Sequence, residues 1–228
     1  RYGGSGVSYG GEGDDVFNIY SSNAKYFGEE GNDTFNIIGS LSGIVIDGGS
    51  GTNNVTGEVG SNTTINVVGA NSGTVSLVKG VEQTITVNGI DYTVSTNNTQ
   101  AELVYRLDTS GLITFSRTSG SIIVKGDMNK KHNVTIKEGI TFYGGNKGDN
   151  IESIDATIYC GSGNNTLTLK HGDLVFCGSG NNTIKADSYC WIYGGSGVNN
   201  ITVSGRYNYI ESGSASMNVT LKGSDNTI

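Results

Sequence analysis

A glycine-rich octapeptide that returns every 16 to 20 residues constrains this chain more than any other feature. Gly10-Gly11-Glu12-Gly13-Asp14-Asp15-Val16-Phe17 is echoed eighteen residues later by Gly28-Glu29-Glu30-Gly31-Asn32-Asp33-Thr34-Phe35. The pattern starts again at Gly48, Gly144, Cys160, Cys177 and Gly194, with a weaker copy from Ser212. From Gly144 to Cys160, Cys177, Gly194 and Ser212 the steps are 16, 17, 17 and 18 residues. A chain repeating at that interval folds as stacked units, each of which buries its apolar positions only against its neighbours.

Apolar positions keep the same register. Two residues before the motifs stand Tyr26, Ile46, Phe142, Ile158, Val175, Ile192 and Ile210, one inward position per lap. The next position carries Tyr9, Phe27, Tyr143, Tyr159, Phe176 and Tyr193, a second and aromatic column. The eighth motif position holds Phe17, Phe35, Val55, Ile151, Leu167, Ile184, Ile201 and Val219, which places them on the opposite strand of the lap. Each lap thus holds two short strands, a glycine bend that needs positive φ or close backbone approach, and a second bend such as Lys170-His171-Gly172-Asp173.

With 37 glycines, no proline and 15% charged residues, the composition is unusual for a globular domain, but its β-branched runs argue against disorder. The expected fold class is all-β: a parallel β-solenoid, a β-roll or β-helix of 16–18 residues per turn, interrupted by a small antiparallel β-hairpin insertion. Three segments are expected: an N-terminal solenoid block over 1–80, an antiparallel insertion over 81–120, and a C-terminal, Asn-rich solenoid block over 121–228. Residues 84–94 read as a hairpin turning at Asn88-Gly89, the signature of a type I′ turn, and 103–115 as another turning at Asp108 to Gly111.

A formal net charge of -7 argues against nucleic acid as a partner, because that binding is dominated by neutralising phosphates with Lys and Arg. Cations are the more natural partner. No apolar run is long enough to span a membrane and no signal peptide is visible; beginning and ending within repeats, the chain reads as a piece of something longer. Cys160, Cys177 and Cys190 read as small residues of the repeat, with one disulfide and one free thiol as the alternative. Cys160 and Cys177 occupy the same motif position, at a spacing of ~4.8 Å that permits a bridge without requiring one.

Gly-Gly-x-Gly-x-Asp-x-(apolar)-x is the nonapeptide of RTX calcium-binding β-rolls. Residues 10–18 match it at every defined position, and residues 28–36 do so except that Glu29 replaces the second glycine. Over about 1–57 and 121–228 the chain resembles an RTX-like, haemolysin-type calcium-binding repeat protein with degenerate repeats. The resemblance implies calcium held between successive turns by the Asp carboxylates and the bend carbonyls. Carried over, the ligands are Asp15 and Asp33, with Gly11, Gly13, Gly28 and Gly31 as carbonyl donors, and Asp149 is a further candidate. Such hard oxygens suit an ion that takes six to eight of them. Asn53, Asn165, Asn182 and Asn199 replace Asp elsewhere, and the family's second motif per turn is missing. Asn keeps an oxygen without the charge, and stacked amides hydrogen-bond along an axis.

Catalytic parts are sparse. His132 and His171 fall at bends outside any metal or nucleophile motif and read as solvated, and the carboxylates beyond position 60 scatter over different turns, so no enzyme is expected. The expected role is a structural or interaction segment, scaffold or spacer, of a large secreted RTX-like bacterial adhesin or toxin-like exoprotein, extracellular or at the cell surface, with calcium-stabilised first turns. Expected partners are calcium ions and a cell-surface glycan or host protein, together with end-to-end self-association. The alternative is a carbohydrate-binding or accessory module of a polysaccharide-modifying enzyme, using Tyr143, Tyr159, Phe176 and Tyr193 if they face solvent.

Overall fold

The computed structural model describes residues 2–3, 6–60, 63–66, 71–77, 82–87, 89–96, 102–107 and 112–228. Among them every regular element is a β-strand, and the coils stack in parallel as a β-solenoid, as the repeat predicts. Two compact units divide at residues 123 and 124.

The second unit, 124–228, shows the coil most plainly. Asn150–Ser153, Thr166–His171, Thr183–Ser188, Asn199–Val203 and Met217–Leu221 pair in parallel, so that Ile151, Leu167, Ile184, Ile201 and Val219 lie in one line. Across the coil, Ile140–Tyr143, Thr157–Tyr159, Leu174–Phe176, Trp191–Tyr193 and Tyr209–Glu211 align Phe142, Ile158, Val175, Ile192 and Ile210. Strand alternation explains which residues face inward: each line of apolar side chains is buried, except for half-buried Val219 in the last coil, while its sequence neighbours are more exposed. Full burial of one such side chain contributes about 1.5–3 kcal/mol, and each coil repeats the contribution against the next.

The outward aromatic column is a continuous stack. Tyr143 to Tyr159, Tyr159 to Phe176 and Phe176 to Tyr193 have ring centroids 4.5, 4.7 and 5.2 Å apart, with planes within 3°, 8° and 11° of parallel. Identical register at the strand spacing imposes this face-to-face geometry.

In the first unit, Phe17, Phe35 and Val55 form one line and Tyr26, Ile46 and Ile65 the other. Phe17 and Phe35 stack at 4.8 Å and 2°, and Tyr9 lies on Phe27 at 5.2 Å. Parallel stacking extends to Asn71–Leu77, beside Asn54–Val59. The two expected antiparallel pairings follow, Gln83–Val87 with Ile90–Thr96 and Glu102–Leu107 with Ile113–Ser119; Glu102–Leu107 also pairs antiparallel with Asn71–Leu77, which the sequence pattern does not predict. Gly89 has the positive φ, 71°, that the first hairpin turn requires; Asn88 and the 108–111 turn lie outside the described residues.

Glycine sets how closely the bends stack. A Cβ on Gly178, whose φ is +67°, would strike the carbonyl of Gly161 in the coil before it. Gly178→Ala is therefore expected to destabilise the second unit by about 2–4 kcal/mol in urea unfolding, since backbone must shift. Gly39→Ala, at φ +96° with open space beyond Cα, is expected to cost about 1–2 kcal/mol of backbone strain alone. Equal losses at the two sites would contradict this account of the bend.

Candidate functional site

A coil corner withdraws one backbone N–H from the strand ladder, and a buried N–H must find an acceptor. At the glycine bend the acceptor is the side chain at the sixth motif position of the following coil. Asp33 Oδ1 accepts from the Asp15 N–H at 2.8 Å, and Asn53 Oδ1 from the Asp33 N–H at 2.7 Å. In the second unit Asp149 Oδ1 accepts from His132, Asn165 from Asp149, Asn182 from Asn165 and Asn199 from Asn182, at 2.8, 2.7, 3.0 and 3.3 Å. Axial stacking of the amides is present as well: Asn165 Nδ2 donates to Asn182 Oδ1 and Asn182 Nδ2 to Asn199 Oδ1, each at 2.8 Å.

The second atom of the rung decides the chemistry. For Asn182, Nδ2 also donates to the carbonyls of Cys177 and Gly180 inside its own bend, both at 2.9 Å, so the amide satisfies the corner from both ends. An aspartate there presents an oxygen where the amide presents a donor. Asp33 is 1% exposed, and its Oδ2 is buried with no hydrogen-bond partner. Burial raises the Asp33 carboxyl above the ordinary carboxylate range; the Asp15 N–H opposes this, and the charges of Asp15 and Asp14 add to it.

Asp15 and Asp33 are thus brought together on consecutive coils, in register. Beyond the Cα of Gly10 lie Asp15 Oδ2, 2.8 Å from where a Cβ would be, and the Gly28 carbonyl; beyond Gly28 lie Asp33 Oδ2 and the Gly48 carbonyl, the latter at 2.6 Å. Gly11, Gly13 and Gly31 have φ of 97°, 95° and 138°, the bend geometry the motif requires. The unpartnered Asp33 oxygen beside carbonyl oxygen is a donor set that fits calcium in kind. Among the described residues, however, no three His, Cys, Asp or Glu side chains converge as a ready ligand cluster. A cation here would rest on two carboxylates completed by carbonyls.

Asp149 stands in the other unit and spends its oxygens internally. Oδ1 lies 2.8 Å from His132 Nδ1 besides taking the His132 N–H, and Oδ2 accepts from the Gly145 N–H at 3.1 Å. His132 is the correction: expected to be solvated, it is fully buried, holds the same column as Asp149 and Asn165, and packs edge-on against Phe142. His171 is exposed as expected and pairs with Asp155 at 2.9 Å.

A second ladder, which the repeat motif does not reveal, closes the opposite bend. There the corner residue is left-handed, with φ of 50–71° at Gly139, Asp155, Gly172, Tyr189, Tyr207 and Asp225. Asp173 Oδ1 accepts from the Ala156 N–H, Asn208 Oδ1 from Cys190 and Asn226 Oδ1 from Asn208, at 3.0, 2.8 and 2.9 Å. The signal available in the sequence was the eighteen-residue step from Asn208 to Asn226. The three cysteines are buried free thiols; burial pushes Cys177 and Cys190 up to about 12 and Cys160 well above its usual value.

Asn182→Asp keeps the acceptor but loses the donors, and is expected to cost about 2–4 kcal/mol at neutral pH in urea unfolding followed by Trp191 fluorescence. A loss below about 0.5 kcal/mol would mean that Nδ2 contributes little to the corner. No protein-family model, curated protein or solved structure matches this chain.

Proposed function

We propose that the chain is a structural or interaction segment of a large secreted, RTX-like bacterial adhesin or toxin-like exoprotein, a solenoid spacer or presentation scaffold whose first coils are stabilised by calcium. The observation that carries this reading is where the polar side chains of the bends are directed. The side chains of Asp33, Asn53, Asn165, Asn182, Asn199 and Asn208 each join one coil to the next, the arrangement of a load-spanning stack. Calcium enters at the acidic bends, where Asp33 Oδ2 is buried and unpartnered among like charges. When bound, the ion supplies the positive charge that these oxygens face in common. Asp15 and Asp33 would hold it with the carbonyls of the Gly10 and Gly28 bends, while Asp14 and Glu12, Glu29 and Glu30 raise its local concentration. Binding would then be coupled to folding of the acidic coils, placing order outside the cell where calcium is abundant.

The carbohydrate reading is less well supported by the ring geometry. In the Tyr143–Tyr159–Phe176–Tyr193 column the ring faces that would stack on a sugar are already stacked on one another. A surface cavity of 190 Å³ lined by Thr168, Lys170, Lys185, Asp187 and Ser204 is smaller than most ligand pockets. A glycan or host protein as the scaffold's partner remains part of the proposal, through display rather than a catalytic cleft.

Millimolar calcium is expected to raise the thermal midpoint of the 228-residue chain relative to chelator, and the double substitution Asp15→Asn with Asp33→Asn to remove that response while raising the midpoint without calcium. Circular dichroism melts with and without calcium test this. An unchanged midpoint in the unsubstituted chain would sink the calcium half of the reading and leave the scaffold half standing.

A further inference from the structure

The second-bend ladder of the second unit contains one rung that breaks its own pattern. Asn208 shows the complete pattern: Oδ1 accepts from the coil before, and Nδ2 donates to the carbonyls of Asp187 and Arg206 and to Asn226 Oδ1, at 2.6, 3.4 and 2.9 Å. Asp173 occupies the equivalent position, 1% exposed, with Oδ1 on the Ala156 N–H at 3.0 Å. Its Oδ2 is buried without a hydrogen bond of normal geometry, and so is Oγ of Ser153, which lies beside it close enough only to steady the ionised carboxyl weakly. Where Asn208 places a full amide donor, Asp173 therefore has only this poorly placed hydroxyl.

We propose that Asp173 is a proton-gated rung, a neutral carboxylic acid whose Oδ2–H takes the place of the amide donor, and that loss of this proton loosens the bend between the coils at Ala156 and Cys190. The step is a plain proton exchange: the carboxyl O–H bond breaks, the electron pair stays on Oδ2, and the proton goes to solvent water.

The surroundings favour the acid form. Burial pushes the Asp173 carboxyl up to about 6; the Ala156 N–H and the Ser153 hydroxyl oppose the shift, Asp155 adds to it, and the Lys170 N–H opposes it. From the coil before, the charged neighbour is Asp155, which pairs with His171 at 2.9 Å on the solvent side. On the strand before the bend, Thr166–His171, the Lys170 ammonium points away, to Glu152 at 3.5 Å. From the coil after, Cys190 stays a neutral thiol, with Asp187 as the nearby charge. No cation faces Asp173 among these groups.

Because the folded value of about 6 lies above the ordinary 3.8, the rung's stability is fully present below about 3.8 and is lost as pH rises through about 6. The difference corresponds to roughly a hundredfold tighter hold on the proton in the folded chain.

The sole tryptophan, Trp191, sits next to this rung, since its backbone N–H donates to the Asp173 carbonyl at 2.8 Å. Thermal unfolding of the whole chain and of Asp173→Asn is followed by Trp191 fluorescence between about pH 4.5 and about pH 8. Asp173→Asn is expected to gain at least about 4 °C over the unsubstituted chain near pH 8, and the gain is expected to shrink steadily toward pH 4.5. Parallel pH profiles for the two chains would overturn the proposal. So would a gain near pH 8 that added calcium confers equally on the unsubstituted chain, because the missing partner would then be a cation. Carboxyl carbon NMR of the unsubstituted chain gives an answer that does not depend on how the variant folds: titration of Asp173 near 6 supports the gate, and titration near 4 overturns it.

Discussion

The structure rests on the hydrogen bond by which each coil's corner N–H is accepted by a side-chain oxygen one lap later. Strand ladders join coils along their straight parts, but a bend removes a backbone donor from that ladder and buries it. Leaving such a group unsatisfied costs about 1–3 kcal/mol per corner, repeated at every lap. At the corner N–H groups of Asp15, Asp33, His132, Asp149, Asn165 and Asn182 one geometry meets the demand, an Asp or Asn oxygen of the following coil at 2.7–3.3 Å. Glycine follows from the rung rather than the reverse: the side chain folds inward over the Cα of Gly28, Gly48 or Gly144, into space that a Cβ would occupy.

Given that rung, Asp and Asn are not equivalent. Both supply the accepting oxygen, and the second atom separates them. Asn turns an N–H toward the bend's own carbonyls and closes the corner without help, as Asn165 and Asn182 do. Aspartate turns an oxygen toward the same carbonyls and requires something positive or a proton. The chain resolves this differently at its buried aspartates. Asp149 is answered by the imidazole of His132 and the Gly145 N–H, Asp33 sits unanswered in the most acidic bend, and Asp173 sits unanswered with Ser153 beside it. The same kind of rung, at the glycine bend for Asp149 and Asp33 and at the opposite bend for Asp173, thus yields an internal pair, a cation expectation and a proton gate, according to what the adjoining coil provides.

The sequence made the coil legible because a period near seventeen, combined with alternation in each strand, places residues such as Ile158, Val175 and Ile192 in contact without any reference to tertiary structure. The antiparallel pairings were equally readable from two β-branched runs flanking Asn88-Gly89. What stayed hidden was burial of polar groups at corners. His132 follows Asn129-Lys130-Lys131, a stretch that looks solvated, and only the coil's register puts its ring in the Asp149 column. Asp173 likewise reads as part of a charged loop until the left-handed corner at Gly172 turns it inward beside the strand that starts at Leu174. A periodicity argument sees apolar lines; it does not see which polar residue a corner has turned in.

The same logic bears on why outward columns are aromatic. In a stack whose coils repeat at the strand spacing, any side chain that recurs in register meets its own kind, so charges would repel while flat rings gain contact on both faces. Lys170 and Glu152 show the other solution, opposite charges 3.5 Å apart in adjacent coils, but exposed pairs of that kind contribute little. Rings contribute about 0.5–1.5 kcal/mol per pair beyond burial and draw coils together along the axis. At the opposite bend a separate row, His171, Tyr189 and Tyr207, follows at 5.1 and 5.3 Å, with planes tilted by 48° and 33°. The tilt marks the point at which strand geometry stops dictating ring orientation. The left-handed corners at Tyr189 and Tyr207 are held in place by the Asn208 and Asn226 rungs, and the exposed left-handed corner at Asp155 by Asp173, so the acidity of one buried carboxyl reaches the outer surface through a single bend of backbone.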